Sequence, residues 1–144
     1  MADEPVWILP DIVRAVHSRQ LAEHGGTDGV RDEGLVDSAL ARPKNLFAYS
    51  TDPPDLGALA AAYAFGLVKN HPFVDGNKRT AFVVCRVFLM LNGEDLEATK
   101  EEKYLTVLRV ADGSVSEEEL ADWMRSHLRA DTGEEDAEPT VDGP

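Results

Sequence analysis

Apolar residues recur at helical spacing along almost the whole chain, and turn-forming residues cut the pattern into discrete segments. After Trp7-Ile8-Leu9-Pro10, the stretch Asp11–Glu23 places Ile12, Val13, Val16, Gln20 and Leu21 at helical spacing, and Gly25-Gly26 ends it. A second helix is expected after Asp32 as N-cap, carrying Leu35, Val36, Ala39 and Leu40 and stopping before Pro43. Residues 43–55, with Pro43, Pro53 and Pro54, then read as a loop longer than most in a compact domain, of a kind usually functional or disordered. Leu56–Asn70 is Ala-rich and apolar on nearly every side, which marks a central buried helix. A short loop, His71–Gly76, leads to a second strongly apolar helix at about Asn77–Asn92, carrying Phe82, Val83, Val84, Val87, Phe88, Leu89 and Leu91, with Gly93 as its stop. Val83-Val84 would also suit a strand, but the length and the Gly93 stop favour helix. Two capping boxes announce the last helices: Thr99 with Glu102 before Tyr104, Leu105, Val107 and Leu108, and Ser116 with Glu119 before Leu120, Trp123, Met124 and Leu128. The pattern predicts an all-α fold, a compact bundle of about six helices around a central buried pair, without internal repeats.

Length and charge refine this picture. The 144 residues suit one domain with a sizeable core. The net charge of -13 is unevenly spread, because residues 131–144 hold six acids and no base. Without them, 21 acids face 14 bases. We therefore expect a folded domain at residues 1–130 and a disordered acidic tail at 131–144, which lacks the apolar residues needed to offset the entropy of ordering. So acidic a chain is a poor nonspecific nucleic-acid binder. The longest apolar stretch, Leu56 to Val68, is too short to span a bilayer, and the acidic start lacks the features of a signal peptide. The single Cys85 cannot form an internal disulfide, and no Cys/His cluster has zinc-ligand spacing. A cytoplasmic protein without a membrane partner is expected.

Against that acidic background the loop between the two apolar helices stands out. Lys78 and Arg79 fall in the first turn of the second helix, at the positive end of its macrodipole, where cations are disfavoured by about 0.3–1 kcal/mol each. Their placement makes sense if an anion occupies the spot, since helix N-termini already present free N–H groups to phosphate. Gly76 lets the backbone approach such a ligand closely or turn with positive φ. Asp75 is a hard oxygen ligand suited to Mg²⁺, which takes one or two carboxylates plus substrate phosphates. His71 carries an imidazole, which can take a proton from an attacking hydroxyl. Asn77 can donate to a phosphate oxygen, and Arg79 can clamp phosphates with its planar fork. Phe73 is expected to seat the loop in the core. Each of these residues has a plainer reading alone: Asp75 as an N-cap, Lys78 and Arg79 as solvated or acid-paired, His71 as structural or incidental in the manner expected of His17, His24 and His127. Their joint occurrence within nine residues favours a site.

The segment His71-Pro72-Phe73-Val74-Asp75-Gly76-Asn77-Lys78-Arg79-Thr80 resembles the signature of the Fic/Doc superfamily, H-P-F-x-[D/E]-[G/A]-N-[G/K]-R. The resemblance extends over roughly residues 6–127, through Trp7, His24-Gly25-Gly26, Val30-Arg31-Asp32, Ala39-Leu40-Ala41-Arg42-Pro43, Ala61-Ala62-Tyr63 and Leu91-Asn92-Gly93, and points to the death-on-curing (Doc) branch. Fic adenylyltransferases have glycine where Lys78 stands, and a second arginine where Phe82 stands; both departures favour Doc.

By this resemblance the protein is a helical Fic/Doc-type enzyme, the toxin of a toxin–antitoxin pair, moving the γ-phosphate of ATP to a hydroxyl on a translation factor such as elongation factor Tu. His71 is implied as general base, Asp75 as Mg²⁺ ligand, and Gly76, Asn77, Lys78 and Arg79 as the phosphate cradle, with Arg79 also acting in catalysis. Gly76 resembles Fic rather than the alanine of some Doc proteins, so AMP transfer stands as the alternative, and a non-catalytic phosphate-binding module as a third. The family's self-inhibitory pattern, [S/T]-x-x-x-E-[G/N], is broken at Glu119 after Ser114 and Glu118, which implies inhibition in trans by an antitoxin like Phd. Residues 43–55 are implied as a flap for the target peptide.

Overall fold

The protein is described by a computed structural model covering residues 3–131. Six helices and one short strand pair make up these residues: α1 (Pro10–His24), α2 (Glu33–Tyr49), α3 (Leu56–Asn70), α4 (Asn77–Leu91), β1 (Glu94–Leu96), α5 (Lys100–Ala111), α6 (Glu117–Ser126) and β2 (Leu128–Ala130). The all-α expectation holds, with α3 at the centre, packed against α2, α4 and α6. Ala60, Ala61, Ala62, Tyr63, Ala64 and Leu67 are all buried in it. Small residues let the neighbouring helices come close. A Cβ on Gly66 would lie 3.4 Å from the Cα of Ala39 on α2.

The chain before α1 is stitched to this core. Trp7 stacks on Phe88 at 6.1 Å and meets Phe47 edge-on at 5.7 Å. The Ile8 N–H donates to the Tyr63 hydroxyl at 3.0 Å, and burial pushes that phenol up to about 12. Asn92 accepts from the Val6 N–H and donates to the carbonyls of Val6 and Phe88, so one side chain ends α4 and anchors the chain start. Both expected capping boxes are present, at Thr99/Glu102 and Ser116/Glu119.

Three local expectations are corrected. Helix α2 does not stop at Pro43; it runs through the proline to Tyr49 and leaves only Ser50–Asp55 as loop. Proline removes one helical hydrogen bond, but the added turns pack Leu46 and Phe47 on the core, and Arg42 pairs with Glu117 of α6. Tertiary contact outweighs the local penalty. The antiparallel pair β1–β2, with Asp95 opposite Arg129, was not foreseen. Asp95 is buried there, accepting hydrogen bonds from Arg86 at 2.8 and 3.1 Å and from Arg129 at 3.4 Å. On α5 the inward face is Thr106, Val107 and Val110, whereas Tyr104 and Leu105 are exposed. Of the expected acidic tail, only Asp131 is described, its N–H donating to Gly93; residues 132–144 lie outside the described part. No helix among the described residues is long and apolar enough to cross a membrane.

Candidate active site

The loop His71–Gly76 joins the C-terminal end of α3 to the N-terminal end of α4, so the same point receives the end of one buried helix and the start of another. His71 caps α3 in the left-handed region, φ 51° and ψ 56°, and is the one non-glycine residue with positive φ among the described residues. That conformation costs about 1–2 kcal/mol for an ordinary L-residue, and it is tied down from outside. Arg31 donates from Nε to the His71 carbonyl and from Nη2 to the Asn70 carbonyl, each at 2.8 Å. The next carbonyl, of Pro72, accepts from the N–H groups of Arg31 and Asp32. Val30 and Phe73 form an isolated antiparallel bridge, and the Val74 N–H donates to Gly29 at 3.0 Å. A strand-like segment between α1 and α2 thus fixes the loop along its length.

Phe73 is 1% exposed and seats the loop, as expected. Asn77 has a different task from the one its side chain was expected to perform. Its Oδ1 accepts from the Phe73 N–H and its Nδ2 donates to the Phe73 carbonyl, both at 2.9 Å, and the residue is buried. That amide staples the loop shut, and what Asn77 can offer an anion is its backbone N–H.

Helix α4 begins with Gly76 as N-cap, at φ 78° and ψ 15°, without a side-chain cap. Its first internal bond is from the Thr80 N–H to Gly76, so the N–H groups of Asn77, Lys78 and Arg79 find no acceptor among the described residues. The reading of Asp75 as N-cap is therefore not realised. Its carboxylate lies one residue earlier, with Oδ1 accepting from the Gly76 N–H at 2.9 Å and Oδ2 from the Thr27 N–H at 3.2 Å. These bonds from Thr27 and Gly76, with the nearby charges of Arg79 and Lys78, hold the carboxyl below the usual aspartate value. Gly26, at φ 127°, is what lets Thr27 reach it: a Cβ there would stand 2.9 Å from Asp75 Oδ2.

Lys78 and Arg79 are exposed, and neither forms an ion pair with an acid among the described residues. Arg79 donates from Nη2 to the Gly25 carbonyl, at 3.3 Å. Two exposed cations, N–H groups without acceptors among the described residues and the positive end of the helix dipole share the first turn of α4, and an anion would satisfy all three. Asp75 suits magnesium in the mode where one carboxylate shares the ion with substrate phosphates. No group of three or more His, Cys, Asp or Glu among the described residues could hold a metal by itself.

Sequence reasoning missed two parts of this site. His17, expected to be structural or incidental, is structural and its role is at the site: it is 4% exposed, its Nε2 lies 2.8 Å from the Asp75 carbonyl, and its ring stacks on Phe73 at 3.8 Å. The available signal was its place with Val13 and Gln20 on one face of α1, the buried face. The expected flap at residues 43–55 is half helix, and its remaining loop precedes α3, whereas the site follows α3. A helix of this length separates the two by roughly 20 Å. The backbone beside the site is residues 25–32 instead. Phe82 is buried and meets Trp123 edge-on at 5.9 Å, so the position of the second Fic arginine serves the core here.

Residues 7–89 match the Fic/DOC family. The chain is similar to the Toxin Doc of Mycolicibacterium smegmatis, 48% identical over 75 residues, which are 51% of this chain and 57% of that protein. It is also similar to the Protein kinase doc of Escherichia phage P1, 32% identical over 118 residues, covering 82% of this chain and 92% of the phage protein. With the family match running from Trp7 through the loop and most of helix α4, and the phage relative aligned over most of both chains, the chain belongs to the Fic/DOC family.

Proposed function

We propose that the protein is a Doc-type toxin that transfers the γ-phosphate of ATP to a hydroxyl of a protein, with a translation factor like elongation factor Tu as target, and so arrests translation. The observation that carries this reading is the cluster of N–H groups at Asn77, Lys78 and Arg79 without acceptors among the described residues, beside two exposed cations that form no ion pair there. The names of the relatives, a toxin and a protein kinase, support it.

In this mechanism the backbone N–H groups of the first turn of α4, with Lys78 and Arg79, bind and orient the polyphosphate of ATP. Arg79 offers its fork to oxygens that gain charge during transfer, an arrangement worth most when it is built beforehand. His71 takes the proton from the acceptor hydroxyl at a ring nitrogen as that oxygen attacks the γ-phosphorus and ADP departs. Asp75 would hold magnesium, which neutralises phosphate charge when bound. The residues around them keep this set in register, and positioning with charge neutralisation is most of what phosphoryl transfer requires.

AMP transfer is the second reading, favoured by Gly76. Incubation with γ-labelled and α-labelled ATP and a bacterial lysate separates them: γ-label on protein supports the kinase, and label arriving only from the α-phosphate overturns it. A non-catalytic phosphate-binding module is excluded if His71→Ala abolishes growth arrest, and supported if toxicity survives that change. Inhibition in trans by an antitoxin like Phd accords with the broken self-inhibitory pattern, since Glu119 closes the cap of α6 instead. Co-expression with the adjacent upstream reading frame tests this. Relief of growth arrest is expected.

A further inference from the structure

We propose that His17 is a positioning residue for Asp75, acting through the peptide unit that joins Asp75 to Gly76; the inference rests on the reading of Asp75 as a magnesium ligand. The Asp75 carbonyl oxygen can only accept, so at 2.8 Å the Nε2 of His17 is the nitrogen that carries the proton. That oxygen and the Gly76 N–H belong to one planar unit, and fixing the direction of one fixes the other. The Gly76 N–H in turn donates to Asp75 Oδ1 at 2.9 Å. His17 on α1 therefore sets the aim of a carboxylate it does not touch.

The arrangement is built from both sides. The His17 ring lies flat on Phe73, with 9° between the planes, so it cannot swing away without leaving the core. A Cβ on Gly76 would stand 3.7 Å from the His17 ring and 3.4 Å from Leu21, which shows how closely α1 lies along this peptide. A histidine that served packing alone would need only the stack on Phe73. The donated hydrogen bond is the feature that a packing role leaves unexplained.

The test separates the ring from the donor. His17→Phe keeps an aromatic stack without the N–H, His17→Met is a second variant without a donor, and His17→Gln restores an N–H donor without the ring. Thermal melts select the folded variants. Two properties are then measured: amide exchange at Gly76 and Thr27 by NMR, and binding of a non-hydrolysable ATP analogue as magnesium is titrated. Loss of an outer partner of a metal ligand typically weakens metal affinity by about 10–100-fold. We expect a shift of about tenfold or more in the magnesium midpoint for the variants without a donor, with faster Gly76 exchange and little change in analogue binding without magnesium. His17→Gln should recover most of the midpoint. If the variants without a donor keep the wild-type midpoint and Gly76 protection, while Asp75→Ala loses the magnesium effect, the role of His17 is overturned and that of Asp75 survives. If Asp75→Ala also keeps the wild-type midpoint, the magnesium reading itself is overturned, and the role of His17 with it.

Discussion

Arg31 holds His71 by the backbone: its guanidinium donates to the carbonyls of His71 and Asn70, each at 2.8 Å, across the end of α3. The residue held this way has a left-handed backbone at φ 51°. A cation here also complements the negative end of the α3 dipole. Strain at a non-glycine position persists only where its surroundings over-determine it, and such positions cluster at functional sites.

Arg31→Ala should therefore release His71 without touching the phosphate cradle. The expected result is a fall in kcat of about tenfold or more, within the range a general base supplies, with KM for ATP nearly unchanged. Steady-state kinetics on the folded variant check this. An unchanged kcat would remove the clamp from the account.

Gly26→Ala tests the space beside Asp75. The new Cβ would meet Asp75 Oδ2 and Leu21 Cδ2, each at 2.9 Å, on a backbone at φ 127° that L-residues rarely adopt. The carboxylate must turn away from Thr27. Magnesium-dependent nucleotide binding should weaken by about tenfold or more, as expected for a misplaced metal ligand, while binding without magnesium holds. Calorimetric titration with and without the metal reads both.

The pH dependence of this carboxylate has a defined sign. Thr27 and Gly76 hold Asp75 below the ordinary 3.8, so its ionised form favours the folded loop above that value, and the contribution is lost as pH falls through the lower folded value. Asp75 should consequently remain ionised between pH 7 and 5. The carboxyl resonance of Asp75, followed by NMR, is expected not to titrate over that interval. A titration step of that resonance above pH 5 would contradict the geometry.

Asp95 is the matching structural case. Its burial acts to raise its pKa, but the bond from Arg86, the Leu96 N–H and the charges of Arg86 and Arg129 more than offset this, so the net direction is down. Asp95→Asn should destabilise the fold by about 1–3 kcal/mol at pH 7, the range for losing charge-assisted bonds at a buried group. The gap between variant and wild type should close as acid protonates Asp95 in the latter. Urea melts at pH 7 and pH 3 measure it.

What could be read from the chain depended on how local the cause was. Helices α3 and α4 were legible because their apolar periodicity is dense, and α5 and α6 because Thr99 and Ser116 each stand three residues before a glutamate. The path of α2 through Pro43 was not, since its cause is the distant packing of Phe47 on Trp7 and of Arg42 on Glu117. The strand pair was hidden for the same reason: Glu94-Asp95-Leu96 has no alternation, and Asp95 is buried by arginines from elsewhere in the chain. At the site, Lys78 and Arg79 were visible as a conflict with the helix dipole, a local rule broken. His17 lies 58 residues from Asp75 in the chain; its place beside Val13 and Gln20 on one face of α1 marks it as inward, but not what it meets there.

The claim that the mouth of α4 receives polyphosphate is tested most directly by calorimetric titration of ATP into wild type and Arg79→Ala, with and without magnesium. We predict magnesium-dependent binding by the wild-type protein, weakened by about tenfold or more in Arg79→Ala, as for the loss of a charge-assisted phosphate clamp. Absence of magnesium-dependent binding in the wild type, or equal affinity in the variant, would contradict it.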